Sequence, residues 1–284
     1  MNIDRIGIIG QGFVGTAIKH GFDAKADLRI ETFDIGKPDL STKGSTKEVV
    51  EVCDIIFVCV PTPMKSNGEC DVSIVESVLD EISKALTVGE CIAVIKSTVI
   101  PGSTAKWNLK YRDSGLNVVF NPEFLVEASA KEDFLNQTRI ILGGEPKYTN
   151  SIAELYRRAF WCAIVQVDST TAESVKYMTN TFLAVKVSFA NEIYQVCQNL
   201  GINYEILKDL VCLDPRINHN HFQVPGPDGN TGFGGHCFPK DLIAFLNFAK
   251  SLGVNPSMLE ATWEKNLEVR TDRDWEEMKG RAVS

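Results

Sequence analysis

A glycine-spaced turn, Gly10-Gln11-Gly12-Phe13-Val14-Gly15, lies between an apolar strand-like run, Arg5–Ile9, and a helix-like stretch over 13–22. That order limits the fold more than any other feature of the chain. Gly10 permits the tight turn, Gly12 lets backbone approach a pyrophosphate, and Gly15 allows close helix–strand packing. A second strand, Arg29–Phe33, follows and ends on an acid, Asp34. Glycine spacing alone is common; with this context it predicts a dinucleotide-binding βαβ unit. Asp34 would accept hydrogen bonds from adenosine ribose hydroxyls and repel a 2′-phosphate, favouring NAD over NADP. Lys37 nearby argues the other way, and a plain turn residue is the alternative for Asp34. Gly10, Gly12, Phe13, Val14, Gly15, Asp34 and Lys37 are thus the candidate cofactor-binding residues.

The alternation of strand and helix continues through the first half. Residues 54–60 (DIIFVCV) form a continuous apolar run, as expected of a strand buried on both faces of a parallel sheet. Cys91–Ile95, 117–120, 139–142 and Ala163–Val167 read as further strands, with helix-like segments such as 72–86 and 151–160 between them. This is a doubly wound α/β pattern, a Rossmann domain over 1–167. From Asp168 the pattern becomes helical, giving a second, all-helical domain over 168–284. Thr170 with Glu173 fits a capping box, and periodic sequence runs to about Leu200, where Gly201 stops it. About thirty helical residues would extend about 45 Å. Apolar residues go most of the way round this helix, which predicts burial in a core or at a subunit interface. Helices are also expected over Tyr204–Val211, 241–251 and 256–278, with a long loop over 214–235. Loops of that length in compact domains are more often functional than idle.

That loop ends in Gly232-Phe233-Gly234-Gly235-His236-Cys237-Phe238-Pro239-Lys240-Asp241. Pro239 suits the first turn of a helix, so Cys237 falls beside unpaired backbone N–H groups, the positive end of a helix dipole and Lys240. Those conditions favour a thiolate nucleophile. Asp241 lies one helical turn on. Two turns at strand ends, Val60-Pro61-Thr62-Pro63 and the segment 96–104 (KSTVIPGST), place Pro61, Thr62 and Thr98 where open α/β sheets bind ligands. Each is as readily a plain turn. In the segment 121–127 (NPEFLVE), Glu123 and Glu127 would share a face if a helix begins there; a solvated pair is the alternative. Lys176 and Asn180 are also four apart on the apolar-rich helix, where a lysine needs either a structural glutamate or a task.

Composition excludes several classes. The net charge of −8 argues against a nucleic-acid surface. No apolar run is long enough to span a bilayer and no signal-peptide pattern is present, so a cytoplasmic location is expected, with no membrane partner. The eight cysteines show no CxxC pair, and several lie inside strand-like runs, so no disulfide framework is predicted. His219, His221, His236 and Cys237 are close in sequence, but structural zinc prefers tighter, thiolate-rich spacing. No metal is expected.

Taken together, the segments GQGFVG, VPTPMKSNGECD, KSTVIPGST, NPEFLVEAS, ESVKYMTNTFLAVKVSFANE, DPRI and GFGGHCFPKD resemble the UDP-glucose/GDP-mannose dehydrogenase family of nucleotide-sugar 6-dehydrogenases, in the family's order, to about Asn266. The resemblance implies a Rossmann domain joined to a helical dimerisation domain through a long central helix, and a homodimer. It implies oxidation of a sugar C6 alcohol to a carboxylate by two NAD, with UDP-glucose the expected substrate and GDP-mannose or a UDP-N-acetylhexosamine the alternatives. Cys237 matches the nucleophile that forms a thiohemiacetal and then a thioester. Lys176 matches the lysine that stabilises the oxyanion, with Asn180 beside it. Asp241 and Thr98 match residues that hold water and assist proton transfer, and Glu123 matches the base for thioester hydrolysis. Phe124, Leu125 and Glu127 match the wall of the sugar site, Glu127 also lying near the cofactor. Arg216 matches an arginine that reaches the adjacent subunit's substrate, and Phe233 and Gly234 belong to a loop covering the sugar nucleotide.

Two departures stand out against that family. A third, UDP-binding domain is expected to be absent, and the loop over 219–230 is longer than in many relatives, with VPGPDG ahead of the glycines. Two other readings accompany the resemblance. A single-step hydroxyacid dehydrogenase would use the lysine and asparagine and leave Cys237 idle. A non-catalytic NAD- or sugar-nucleotide-binding protein would have no need of the whole catalytic set.

Overall fold

The computed structural model describes residues 3–87 and 89–284, and the chain divides by packing into two units. The first comprises Met1–Thr62 and Val72–Lys176, the second Pro63–Asp71 and Tyr177–Ser284. By sequence the boundary falls at 167/168; by packing, the first turns of the long helix go with the sheet and one early loop goes with the helices.

In the first unit, β1 (Arg5–Ile9), β2 (Arg29–Phe33), β3 (Ile55–Val58), β4 (Cys91–Ile95), β5 (Leu116–Phe120), β6 (Arg139–Gly143) and β7 (Ala163–Val167) form one sheet ordered β2-β1-β3-β4-β5-β6-β7. The doubly wound expectation holds, with one departure: β5 and β6 pair antiparallel at Phe120 and Gly143. The connections are α1 (Phe13–Lys25), α2 (Thr46–Val50), α3 (Ser73–Ala85), α4 (Ser103–Tyr111), α5 (Ala130–Leu135) and α6 (Pro146–Arg157). The chain winds outward from β1 to β2 and then back across to β3. That reversal opens a crevice at the carboxyl ends of β1 and β3, the usual ligand position in such sheets.

Burial follows the two-residue period of the strands. Ile8, Ile55, Phe57, Val94 and Val119 enter one core, where Phe22 meets Phe57, Phe134, Tyr156 and Phe160 with ring centroids 5.5–6.0 Å apart. Their neighbours Ile9, Ile56, Val58, Ala93, Ile95, Val118 and Phe120 enter the other core beneath α2, α3 and α4. Strands with both faces covered explain why the sequence shows continuous apolar runs rather than alternation.

The long helix α7 (Ser169–Leu200) was expected to start with a capping box between Thr170 and Glu173. It does not. Asp168 caps it, accepting from the Thr171 backbone at 2.9 Å. Glu173 is drawn elsewhere: its carboxylate accepts from Gly102 N (2.5 Å) and Thr104 N (2.8 Å), the orphan donors at the start of α4.

In the second unit, α7 continues from Tyr177, followed by α8 (Tyr204–Val211), α9 (Phe238–Ser251) and α10 (Ser257–Val269). Tyr177 stacks on Phe245 and Trp263 packs on Trp275. The loop Pro63–Asp71 lies on α9, with Asn247 donating to Asn67 O at 3.1 Å, and it pairs with the tail through Met64 N to Ala282 O (2.8 Å) and Ser284 N to Met64 O (2.9 Å). The last helix stops at Val269 instead of running to Met278. The buried Arg270 leaves helical geometry there because its guanidinium serves Asp228, Asp274 and the Asp272 carbonyl. Among the described residues no helix is long and apolar enough to cross a membrane, and no disulfide links the cysteines.

Candidate active site

The glycine turn has the shape its spacing predicts. Gly10 holds φ +92°, a left-handed conformation that suits glycine. A Cβ on Gly15 would meet Gly10 O at 1.9 Å, so α1 reaches its packing distance only without one. A Cβ on Gly12 would meet nothing within 4 Å, which leaves open space where a pyrophosphate would approach the start of α1. Asp34, at the end of β2, accepts from Gln11 N at 2.6 Å and Gly36 N at 2.8 Å, and Lys37 donates to Gln11 O at 2.9 Å. Both residues are thus tied to the turn, and Phe13 and Val14 open α1 beside it. Thr62 and Thr98, buried at the ends of β3 and β4, are joined by a hydrogen bond from Thr62 Oγ1 to Thr98 O (2.8 Å), whereas Pro61 is exposed. The cradle fits a dinucleotide.

The same unit holds a buried ion pair. Lys176 Nζ donates to Glu123 Oε1 at 2.9 Å and to the Glu123 carbonyl at 2.7 Å. Burial by itself would raise the Glu123 carboxyl; the Lys176 ammonium, the Leu125 N–H at 2.7 Å and nearby Lys96 outweigh it and hold the group below its ordinary value. Phe124 lies under two cations, Arg139 at 4.5 Å and Lys176 at 5.6 Å from its ring centre. The expected helical pairing of Glu123 with Glu127 is corrected: residues 121–126 are irregular, a short turn of helix begins only at Glu127, and Glu127 is exposed. Pro122, whose ring restrains the residue before it, and the demands of Lys176 on the Glu123 carbonyl leave no helical hydrogen bonding there.

In the second unit, Cys237 is the residue that starts α9, with Pro239 in the first turn. Lys240 and Asp241 are both buried, and Asp241 accepts from Lys240 Nζ and from Asn180 Nδ2, each at 2.5 Å. Burial would lower the Lys240 ammonium, yet the Asp241 carboxylate and the sulfurs of Cys237 and Cys70 around it raise it instead, so the cation beside the thiols persists. The glycine loop before Cys237 is fastened by groups that local sequence patterns did not single out. Gly232 N donates to Asn191 Oδ1 (3.1 Å), Phe233 N to Asn266 Oδ1 (2.7 Å) and Gly235 N to both Asp274 oxygens (3.1 and 3.0 Å). A Cβ on Gly234 would lie 2.2 Å from Arg270 Nη2, so the loop hugs that side chain. Arg216 is exposed and pairs with Asp214 of its own chain, Nη2 to Oδ2 at 2.5 Å. No group of three or more His, Cys, Asp or Glu side chains suited to a metal is found among the described residues.

Comparison with known proteins adds to this geometry. Residues 35–160 match the NAD binding domain of the UDP-glucose/GDP-mannose dehydrogenase family, and residues 170–268 match its central domain. The first match begins after Asp34, so the glycine turn stands on its own shape. The UDP-glucose 6-dehydrogenase of Rickettsia conorii is 40% identical over 216 residues, covering 75% of this chain and 49% of that protein. The UDP-glucose 6-dehydrogenase TuaD of Bacillus subtilis is 36% identical over 237 residues, covering 81% of this chain and 50% of the relative. A UDP-glucose dehydrogenase structure from Pyrobaculum islandicum superposes with a TM-score of 0.84 at 29% identity, covering 94% of this chain and 68% of that one. The chain spans about half the length of the curated relatives it matches.

Proposed function

The chain belongs to the UDP-glucose/GDP-mannose dehydrogenase family, and on that premise we propose that it oxidises a nucleotide sugar, UDP-glucose first, from the C6 alcohol to the carboxylate through a cysteine-bound intermediate. The observation that carries this reading is the thiol of Cys237 at the amino end of α9 beside the Lys240–Asp241–Asn180 network. Such a set serves covalent capture of an aldehyde, which a single-step hydroxyacid oxidation does not require.

NAD, when bound, accepts the hydride in each of the two oxidations. The protein's own groups do the rest. Lys176 supplies a cation for the alkoxide and for the tetrahedral oxyanions. The Cys237 sulfur adds to the aldehyde carbon and its oxygen takes up a proton, giving a thiohemiacetal; loss of a hydride and a proton then leaves a thioester. Water attacks that thioester with Glu123 as base, the carbon–sulfur bond breaks, and the thiol and carboxylate are released. Asp241, held by Lys240 and Asn180, orients water and shuttles protons, and Thr98 is assigned to assist proton transfer. Phe124, Leu125 and Glu127 line the sugar, Phe233 and Gly234 cover it, and Gly10, Gly12, Phe13, Val14, Gly15, Asp34, Lys37, Pro61, Thr62 and Thr98 hold the dinucleotide. Arg216 serves the partner's substrate. The test is stoichiometric: with NAD and UDP-glucose, two NADH are expected per sugar consumed. One NADH per sugar, or none with UDP-glucose, GDP-mannose and UDP-N-acetylhexosamines alike, contradicts the proposal.

The partner is proposed to be a second copy. On α7, Met178, Phe182, Phe189 and Val196 recur at spacings of four and seven and are exposed, Phe182 at 60% and Phe189 at 54%. Ile206 and Leu210 on α8 and Leu213 just after it are exposed as well. Exposed apolar side chains repeated along one helix in this way suit an association site. A Phe182→Asp/Phe189→Asp double variant is expected to weaken dimerisation by about two powers of ten or more, the scale of losing paired aromatic anchors. Light scattering on the eluting protein checks it; a variant that stays dimeric would place the interface elsewhere.

A further inference from the structure

Lys96 follows β4 in the unit that carries Glu123, and the steps above leave it without a task. Its side chain is buried, and an ammonium withdrawn from water needs acceptors. It has Asn121 Oδ1 at 3.0 Å and the Pro122 carbonyl at 3.5 Å. The same Asn121 oxygen accepts from the Tyr156 hydroxyl at 2.6 Å, while Asn121 Nδ2 donates to Ile141 O at 2.8 Å. Asn121 is therefore gripped from three directions, two residues before Glu123. The Cys59 thiol, the Glu123 carboxylate and the Lys176 ammonium act on Lys96 electrostatically, Tyr156 is reached through Asn121, and Glu132, Asp133 and Arg139 line the same cavity as Lys96 and Glu123. Burial pushes Lys96 down to about 8, against the pull of Cys59 and Glu123 and with added repulsion from Lys176.

A buried charge of this kind is a poor device for stability, since apolar replacements of similar volume are often neutral or better. Its chemistry points elsewhere. Lys176 has two demands on it: it holds Glu123, and it must also meet the oxyanion. When it meets the oxyanion, the carboxylate needs another cation close by.

We propose that Lys96 is a positioning residue for Glu123: it fastens the Asn121–Pro122 turn and sets a second positive charge near the carboxylate, so that Glu123 stays ionised and aimed while Lys176 serves the substrate oxygen. This rests on Glu123 being the base for thioester hydrolysis. In Lys96→Met the kcat for UDP-glucose oxidation is expected to fall about tenfold to a hundredfold, the scale of a misplaced catalytic group, with KM for both substrates nearly unchanged. Lys96→Arg restores most of the rate. Lys96→Gln, which keeps a hydrogen-bond donor without the charge, falls between them and serves if the methionine variant does not fold. Carboxyl NMR with 13C-labelled glutamate, the Glu123 signal assigned through Glu123→Gln, reads the position without substrate: its titration midpoint should rise by about one pH unit in the methionine and glutamine variants. An unmoved Glu123 midpoint, or a loss confined to KM, overturns the proposal. Absence of turnover in the unaltered protein would instead overturn the proposed function, and the carboxyl titration would still decide the role of Lys96.

Discussion

A Cys237→Ser variant is expected to lose formation of the sugar carboxylate while keeping its fold and its affinity for NAD. The hydroxyl that replaces the thiol is not ionised near neutral pH, even beside the helix start and Lys240, so the aldehyde is not captured as a stable adduct. Steady-state production of two NADH per sugar should drop by at least about a thousandfold, the scale of removing a covalent nucleophile. Single-turnover experiments should show at most one NADH per active site, with the sugar trapped at the aldehyde level. Cys237 is only partly buried and its side chain makes no capping bond to α9, so melting should change little. A variant that still yields the carboxylate at a comparable rate would mean that the aldehyde is oxidised without capture by the Cys237 sulfur, and would contradict the proposed thioester route.

The second large effect is expected at Lys176. Lys176→Met removes the oxyanion cation, and kcat should fall roughly a hundredfold to a thousandfold, as for loss of a preorganised donor. It also leaves Glu123 buried with its main partner gone, a change that costs about 3 kcal/mol in comparable buried pairs. The pH dependence has a definite sign. The folded carboxyl is held below its unfolded value, so the pair's stabilisation is complete above that unfolded value and is lost as pH falls through the folded one. The melting difference between the unaltered protein and Lys176→Met should therefore be largest near neutral pH and shrink in acid. Lys176→Arg keeps the charge and should recover stability better than rate, because the fork of the guanidinium cannot copy the point charge. Equal melting curves at all pH values would mean that the pair does not form.

The first unit was legible because its cues are local. Continuous apolar runs such as Ile55–Val58 and Cys91–Ile95 signal strands covered on both faces, and the glycine turn fixes what stands at the end of β1. The antiparallel pairing of β6 was not legible, since direction depends on how α5 returns the chain rather than on the strand's composition. At the start of α7, Thr170 and Glu173 had the right spacing for a cap, yet the orphan donors of α4, remote in sequence, compete for Glu173 and win. The end of α10 failed for a related reason: Arg270 has helical sequence around it, but three remote or irregular acceptors, Asp228, Asp272 and Asp274, pull its side chain away.

The candidate site divides in the same way. Cys237, Asp241 and Asp34 sit at predicted helix starts and strand ends, so their positions could be read from local pattern. Glu123 could be picked out but not placed, because Lys176 and Lys96 approach it from distant parts of the chain. Asn266 and Asp274, which hold the glycine loop, look like ordinary polar residues in sequence. Only folding brings them to bare backbone N–H groups.

The sulfur of residue 237 as the carrier of the half-oxidised sugar can be tested by mass analysis of the protein itself. A Glu123→Gln variant, slowed at hydrolysis, is mixed with NAD and UDP-glucose, quenched in acid and digested. The peptide containing Cys237 is predicted to gain the mass of the nucleotide-sugar acyl group as a thioester that hydroxylamine removes. Carboxylate and NADH appearing with that peptide unmodified at every quench time, or the adduct residing on another side chain, would contradict the account.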